Sequence, residues 1–483
     1  MKLLGLRIDD HDSNITYTNG TKVRYLATER LFGIKHHGYD NVWQWEDVLD
    51  RWDIKVEDLD AICIITDDIE FDTNELYREL DMGFPCRTFA LDHHYAHHLS
   101  LWPLGDIPEI GYVYDGFGNN DKSYSKFVNN KLVDSGDVND ISSIGVKMAE
   151  VGRVLGLSSD PHGLDLAGKV MGLAAYGLID KEYYEKLSNF SLNEMRGIWN
   201  YKSWHRKWDN DFDINWLRTV HEYTGDKLAE HVSSTDVIGF SGGVAQNCCF
   251  NGKIKRTGTK VVIPPHANDC GLSLGAVEFL RQRFHEVPFS NEGFPFWQDD
   301  EAPEQEADEN TIEKGAKSLR DGRILAWYQG HGEIGPRALG NRSILMQPQN
   351  RRAKQYLNEK VKHREAFRPF GAAVLREDVS KYFDCDYDVP YMNMSVQVKD
   401  TRLTSITHID NTCRIQTVDG DGHFARLLRR YKEMTGESVI LNTSLNIGGS
   451  PIASRVWEAK ELFSKKGIQD MACLLYTSEA ADE

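Results

Sequence analysis

Val237-Ile238-Gly239-Phe240-Ser241-Gly242-Gly243-Val244-Ala245-Gln246-Asn247 reads as an apolar strand that enters a Gly-Gly turn and then a helix. Such a turn aims backbone N–H groups at positions that phosphate oxygens can occupy. A plain strand-to-helix turn is the alternative. Further strand patterns flank this one at Ala61–Thr66, Tyr112–Asp115 and Val261–Pro264, with helical patterns between them. The amino terminus adds strand Lys2–Arg7, the turn Asp9–Ser13, Ile15–Tyr17, an Asn19-Gly20 turn and Val23–Ala27. Asn-Gly between alternating residues is a hairpin signal. Strands alternating with helices predict an α/β fold, whose chemistry belongs on loops at strand ends.

A chain of 483 residues is too long for one core. The run Asp299-Asp300-Glu301-Ala302-Pro303-Glu304-Gln305-Glu306 reads as a linker, and Arg323–Tyr328 opens a second α/β region. The expected units are residues 1–290, an acidic linker 291–311, and residues 312–483. No fixed-period repeat is visible, and Cys473–Glu483 has no defensible period.

Forty per cent hydrophobic and 27% charged residues fit an ordinary soluble protein, and no apolar run reaches the ~20 residues of a membrane span. Met1–Leu6 is too short and too soon charged for a secretory signal. Eight cysteines without a CxxC suit reduced thiols and a cytoplasmic location. A net charge of −18 argues against a whole-surface grip on nucleic acid but leaves room for a local basic patch.

Three constellations carry chemistry. In Asp92-His93-His94-Tyr95-Ala96-His97-His98, a helix puts His93 with His97 and His94 with His98. Either pair can bind a metal with carboxylates completing the set, and Asp115 and Asp269 are candidates. A His-rich cap or buried polar cluster is the plainer reading. Gly168-Lys169-Val170-Met171-Gly172-Leu173-Ala174-Ala175-Tyr176-Gly177 adds a lysine beside small residues. The third constellation is Gly335-Pro336-Arg337-Ala338-Leu339-Gly340-Asn341-Arg342-Ser343, followed by Lys360, Lys362, Arg364 and Arg368. Arginine forks match phosphate, whereas a solvated helix face accounts well for Lys360, Lys362 and Arg364. His408, Arg414 and the strand end Asn442-Thr443-Ser444 add polar groups that can hold a nucleotide or cap a helix.

Together and in this order, these motifs resemble the O-carbamoyltransferase family of antibiotic and nodulation-factor biosynthesis. The resemblance runs from His11-Asp12-Ser13, through Glu29-Arg30 and Lys35-His36, to Pro451-Ile452. It implies an actin-like ATPase first domain, similar to the threonylcarbamoyl transferase, and a YrdC-like α/β second domain that forms carbamoyladenylate. It further implies an Fe(2+)-type divalent metal on His93, His97, Asp115 and Asp269, the family pattern using the first His of each pair. His11 and Asp12 are implied near the acceptor hydroxyl, with His11 as base. Arg337 and Lys362 are the expected catalytic cations of the second domain. Arg342, Arg364, Arg368, His408, Arg414, Asn442, Thr443 and Ser444 would hold carbamoyl phosphate and ATP with Mg(2+). Gly242, Gly243 and Asn247 would hold the adenylate in the first domain. The chain departs from the pattern at Asn446-Ile447-Gly448-Gly449-Ser450-Pro451-Ile452, which lacks the usual Arg and Glu, and at His331, where Arg is commoner.

The acceptor is less legible. Arg196–Trp208 interleaves cations with aromatics, including Trp204, Arg206 and Lys207, which suits phosphate contacts and base stacking. An amphipathic packing segment is the alternative. The resembled family extends to viral members that act on hydroxymethyl pyrimidines in DNA, so the resemblance, and no residue of this chain, makes hydroxymethylated DNA with 5-hydroxymethylcytosine as base the first acceptor to test, and a sugar or polyketide hydroxyl the second. A homodimer is left open, as is a non-catalytic regulator on the same ATP-binding scaffold.

Overall fold

The computed structural model describes residues 1–39, 44–137, 144–157, 160, 162–187, 198–199, 213–302, 308–465, 468 and 470–473. The chain divides into two compact units, Met1–Trp297 and Gln298–Glu483.

The first unit holds two sheets. One comprises β1 (Leu3–Arg7), β2 (Asn14–Thr18), β3 (Val23–Ala27), β4 (Ala61–Ile65), β5 (Tyr77–Leu80) and β6 (Arg87–Leu91). Its order is β3-β2-β1-β4-β6-β5; the β1-β2-β3 meander is antiparallel, and β4 and β6 run parallel to β1. The other comprises β7 (Ile110–Tyr114), β8 (Lys122–Val128), β9 (Lys131–Asp137), β10 (Val237–Ser241) and β11 (Lys260–Val262), in the order β11-β10-β7-β8-β9. Here β7-β8-β9 is the antiparallel meander, and β10 and β11 run parallel to β7. The same pattern thus occurs twice, which is the arrangement of actin-like ATPase folds. No sequence period announced it, because strand order is a matter of pairing, not of spacing.

Two glycines let the elements of this unit close up. A Cβ on Gly5 in β1 would lie 2.3 Å from Ser273 O, and one on Gly275 would lie 2.0 Å from Ala96 O. The helix Leu272–Arg283 therefore lies directly on β1 and on the helix His93–Leu99, and the Asp269 turn that precedes it is carried to the histidines.

The second unit is a seven-stranded mixed sheet of β12 (Leu325–Tyr328), β13 (Arg342–Met346), β14 (Gly371–Leu375), β15 (Met394–Gln397), β16 (Thr412–Val418), β17 (Val439–Ser444) and β18 (Asp470–Cys473). The order is β15-β16-β14-β17-β13-β12-β18. Helices Glu309–Arg320 and His423–Thr435 present Ile312, Leu319, Phe424 and Leu428 to Trp327, Leu345 and Ile440 of the sheet.

Residues 291–302, expected within a linker, are instead packed. Trp297 lies against Trp102, with ring centroids 5.5 Å apart, and Asp300 is buried against Arg342. An acidic run reads as solvated only while its partners are out of view, and Asp300 has one. Residues 303–307 lie outside the described residues. Among the described residues, no helix is long and apolar enough to cross a membrane.

Candidate active site

The helix His93–Leu99 starts where Asp92 accepts a hydrogen bond from Tyr95 N, and every one of its residues is buried. Two faces of imidazoles emerge from it, and their surroundings distinguish them. His94 Nδ1 meets Ser125 Oγ at 2.8 Å; His98 Nε2 meets Asn130 Oδ1 at 2.9 Å, and its ring stacks on Phe127. That pair is committed to packing. His93 and His97 face Asp115, which follows β7, and Asp269, which follows β11. His93 Nε2 lies 3.3 Å from Asp115 Oδ2 and 3.4 Å from Asp269 Oδ1. His97 Nε2 lies 2.6 and 3.4 Å from the same two atoms.

The ligand atoms of these four buried residues all lie within 4.8 Å of one another. A tetrahedral site with bonds of about 2.0–2.1 Å separates its donors by about 3.3–3.4 Å, so the set fits a divalent cation. Burial and the charge of Asp269 oppose ionisation of Asp115, but the two histidines outweigh them and hold its carboxyl below the usual range. The Gly-Gly turn works on this centre directly. Gly243 N and Gly116 N donate to Asp115 Oδ1 at 3.1 and 2.7 Å. Gly242 has φ 89° and its Cβ position is 2.2 Å from Tyr114 O, so no side chain fits there.

His11 and Asp12 sit beside the cluster. His11 Nδ1 is 3.4 Å from Asp12 Oδ2 and 4.0 Å from Asp269 Oδ2. Burial disfavours a charged His11, but the Asp12 hydrogen bond and the Asp269 carboxylate prevail and raise its pKa to about 9. Asp12 Oδ1 is held by His36 Nδ1 at 2.8 Å, and Glu29 Oε2 accepts His36 N.

Several expected phosphate ligands are otherwise engaged. Asn247 caps the helix Cys248–Arg256, accepting from Cys249 N and Phe250 N, while its Nδ2 meets His221 Nε2. It serves as a cap rather than an adenylate ligand. Lys169 pairs with Asp165 at 3.1 Å in its own helix. Arg342 is fully buried; its Nη1 donates to Gln329 O and Asn341 O, and its Nη2 to Asp300 Oδ1, Glu301 O and Gly330 O. With both terminal nitrogens occupied by protein oxygens, Arg342 is a structural staple and not a phosphate ligand. Lys362 is likewise buried, its Nζ shared among Ser444 O, Ser444 Oγ, Asn446 O and Asn446 Oδ1. Three ammonium protons are fully used by those oxygens, so Lys362 braces the end of β17 instead of reaching out as a catalytic cation. A solvated helix face describes Lys360, which is exposed, and fails for Lys362.

What remains in the second unit is an arginine cluster. Burial, then the charges of Arg368 and Arg414, push the guanidinium of Arg364 well below its usual value, with Glu365 easing it. Nε of Arg414 is buried without a hydrogen-bond partner. Cations crowded this way gain most from an anion. Arg337 is half-buried on the β12–β13 loop, which Glu333 pins by accepting from Leu339 N at 2.5 Å. Asn442 Nδ2 reaches Ala338 O at 3.3 Å and Gln416 Oε1 at 3.1 Å, tying β17 to that loop. His408 is buried just before β16, and Thr443 and Ser444 close β17. Pyrophosphate at about 100 times its Kd should stabilise the chain by about 2.7 kcal/mol. In Arg364→Ala, calorimetry should find less than half that gain.

Residues overlooked in the sequence are Arg7 and Asp67. Arg7 is fully buried in β1 and contacts Asp9, Asp67 and Asp269. Its signal was available: an arginine inside an apolar strand must have an acid facing it. Trp204, Arg206 and Lys207 lie outside the described residues.

Residues 316–477 match the family described as carbamoyltransferase C-terminus. Nodulation protein NolNO of Sinorhizobium fredii is 30% identical over 374 residues, 66% of this chain and 53% of its own length. Nodulation protein NolO of Bradyrhizobium diazoefficiens is 28% identical over 432 residues, 77% of this chain and 76% of its own. The 3'-hydroxymethylcephem-O-carbamoyltransferase of Amycolatopsis lactamdurans is 34% identical over 242 residues, 48% of this chain and 46% of its own. The chain thus spans about half the length of the first and third of these relatives.

Proposed function

We propose that this chain, which is similar to O-carbamoyltransferases and nodulation proteins, is itself an O-carbamoyltransferase that moves a carbamoyl group from carbamoyl phosphate to an alcohol at the expense of ATP. The observation that carries this reading is the buried His93, His97, Asp115 and Asp269 set with His11 and Asp12 beside it. In the second unit, which the resemblance assigns to carbamoyladenylate formation, Arg337, Arg364, Arg368 and Arg414 offset phosphate charge as carbamoyl phosphate and Mg(2+)-ATP react. In the first unit, a divalent cation such as Fe(2+), held by the four ligands, would supply Lewis-acid polarisation of the carbamoyl carbonyl. His11 takes the proton of the acceptor hydroxyl, and Asp12 orients its ring through Nδ1. His11 must be neutral to do so, and engaging Asp269 as a ligand spends one of the charges that keep it protonated.

A small-molecule alcohol is the acceptor best supported by the relatives, one of which is named for a hydroxymethyl cephem. Hydroxymethylated pyrimidine in DNA stays as the second reading, with the Arg196–Trp208 composition in its favour. Mass spectrometry tests both. Enzyme, ATP and carbamoyl phosphate are incubated with a panel of sugar and polyketide alcohols, and separately with 5-hydroxymethylcytosine DNA that is digested to nucleosides. A carbamoyl increment that requires both cosubstrates identifies the acceptor. AMP and pyrophosphate formation dependent on carbamoyl phosphate separates the enzyme from a non-catalytic regulator, which would yield neither. Arg337→Ala should reduce that AMP formation by at least about 100-fold, on the scale of a lost charge-stabilising contact. Normal AMP release by this variant would remove Arg337 from the site.

A further inference from the structure

We propose that Asp67 and Arg7 form a bracket that positions the metal ligands, with Asp67 acting directly on His93. The inference rests on the metal reading of the four-residue cluster and concerns residues that the cluster does not include. His93 Nδ1 meets Asp67 Oδ1 at 2.8 Å while its Nε2 faces Asp115 and Asp269. A carboxylate accepting from Nδ1–H fixes the tautomer in which Nε2 carries the lone pair for a cation, and it makes the imidazole a stronger donor. The other oxygen of Asp67 takes Nη2 of Arg7 at 2.9 Å, and the same Nη2 reaches Asp269 Oδ2 at 3.1 Å. One guanidinium therefore joins the support of His93 to the second carboxylate ligand, although the two ligands come from distant parts of the chain.

The bracket is itself held from both sides. Arg7 Nη1 donates to Asp9 Oδ2 at 2.5 Å, and that oxygen also accepts Asp67 N at 2.8 Å. Asn119 Nδ2 donates to Thr66 O and Ile69 O at 2.8 and 2.7 Å, and its Oδ1 accepts His93 N at 2.8 Å. The loop that carries Asp67 is thereby registered against the first turn of the histidine helix. His97 offers the contrast: its Nδ1 is buried without a hydrogen-bond partner. Carboxylate support thus falls on one imidazole of the pair, so the loss of Asp67 has no second carboxylate to soften it.

The test is uptake of Co(2+) by the metal-free full chain, read from its d–d absorption against a competing chelator, with apo melting temperature as the folding control. Asp67→Ala should bind Co(2+) about 10–100-fold more weakly than the wild type, the usual cost of a lost outer-sphere partner. Asp67→Asn keeps an acceptor oxygen for His93 but loses the charge facing Arg7, and should fall between the two. Wild-type affinity in Asp67→Ala at an unchanged melting temperature overturns the bracket and leaves the ligand set intact. If Asp67→Ala does not fold, wild-type affinity in the isosteric Asp67→Asn overturns it equally. A wild-type chain that takes up no Co(2+) overturns the bracket together with the metal reading beneath it.

Discussion

His93→Ala is expected to lower carbamoyl transfer by at least about 100-fold, beyond the usual cost of losing a mere outer-sphere partner, while AMP and pyrophosphate formation continues. The side chain is buried and contacts both Asp115 and Asp269. Its removal leaves His97 and two carboxylates whose mutual repulsion is no longer offset on one side. The arginines proposed for ATP lie in the second unit. The measurement is parallel: acceptor carbamoylation by mass spectrometry and pyrophosphate release by a coupled assay, on the same preparation. Equal loss of both activities would count against two separate centres. Unchanged transfer would remove the His/Asp cluster from the chemistry.

The second large effect is on stability. Arg342→Ala should destabilise the second unit by about 3–5 kcal/mol, because it leaves Asp300, a carboxylate only 1% exposed, with Gly332 N and His331 but without its guanidinium. For a unit of this size that corresponds to a fall in its melting temperature of roughly 6–20 °C. The guanidinium also lies 3.7 Å from the centroid of the Tyr328 ring, and no lysine can reproduce that stacking together with five contacts to oxygen. Combining Arg342→Met with Asp300→Asn removes both charges at once and should recover part of the loss. Calorimetry of wild type, single and double variants gives the coupling. If Arg342 were instead a phosphate ligand, Arg342→Ala would melt normally and lose nucleotide binding alone.

The amino-acid sequence by itself determined the alternation of strands and helices and the polar loops that end β4, β7 and β10. Those features come from local physics: side-chain period together with Gly-Gly and Asn-Gly turns. It also placed Asp115 and Asp269 among the candidate ligands, since each is an acid beside glycine or cysteine in a loop after an apolar strand. Which imidazoles face those acids did not follow from spacing, and only the family resemblance singled out His93 and His97. His94 and His98 have the same spacing as His93 and His97, and only the packing of Ser125, Asn130 and Phe127 consumes them. Arg342 and Lys362 had the composition of an anion site, yet protein oxygens already use their donors. Arg364 also donates from Nε to Asn358 Oδ1 and from Nη2 to Pro369 O, and it is proposed for that role because Arg368 and Arg414 crowd it. Arg7 and Asp67 passed unnoticed because their partners lie far away in the chain. Charge and spacing are properties of a segment. Whether a charged group is spent or available depends on what folding brings against it, and only the tertiary structure decides that.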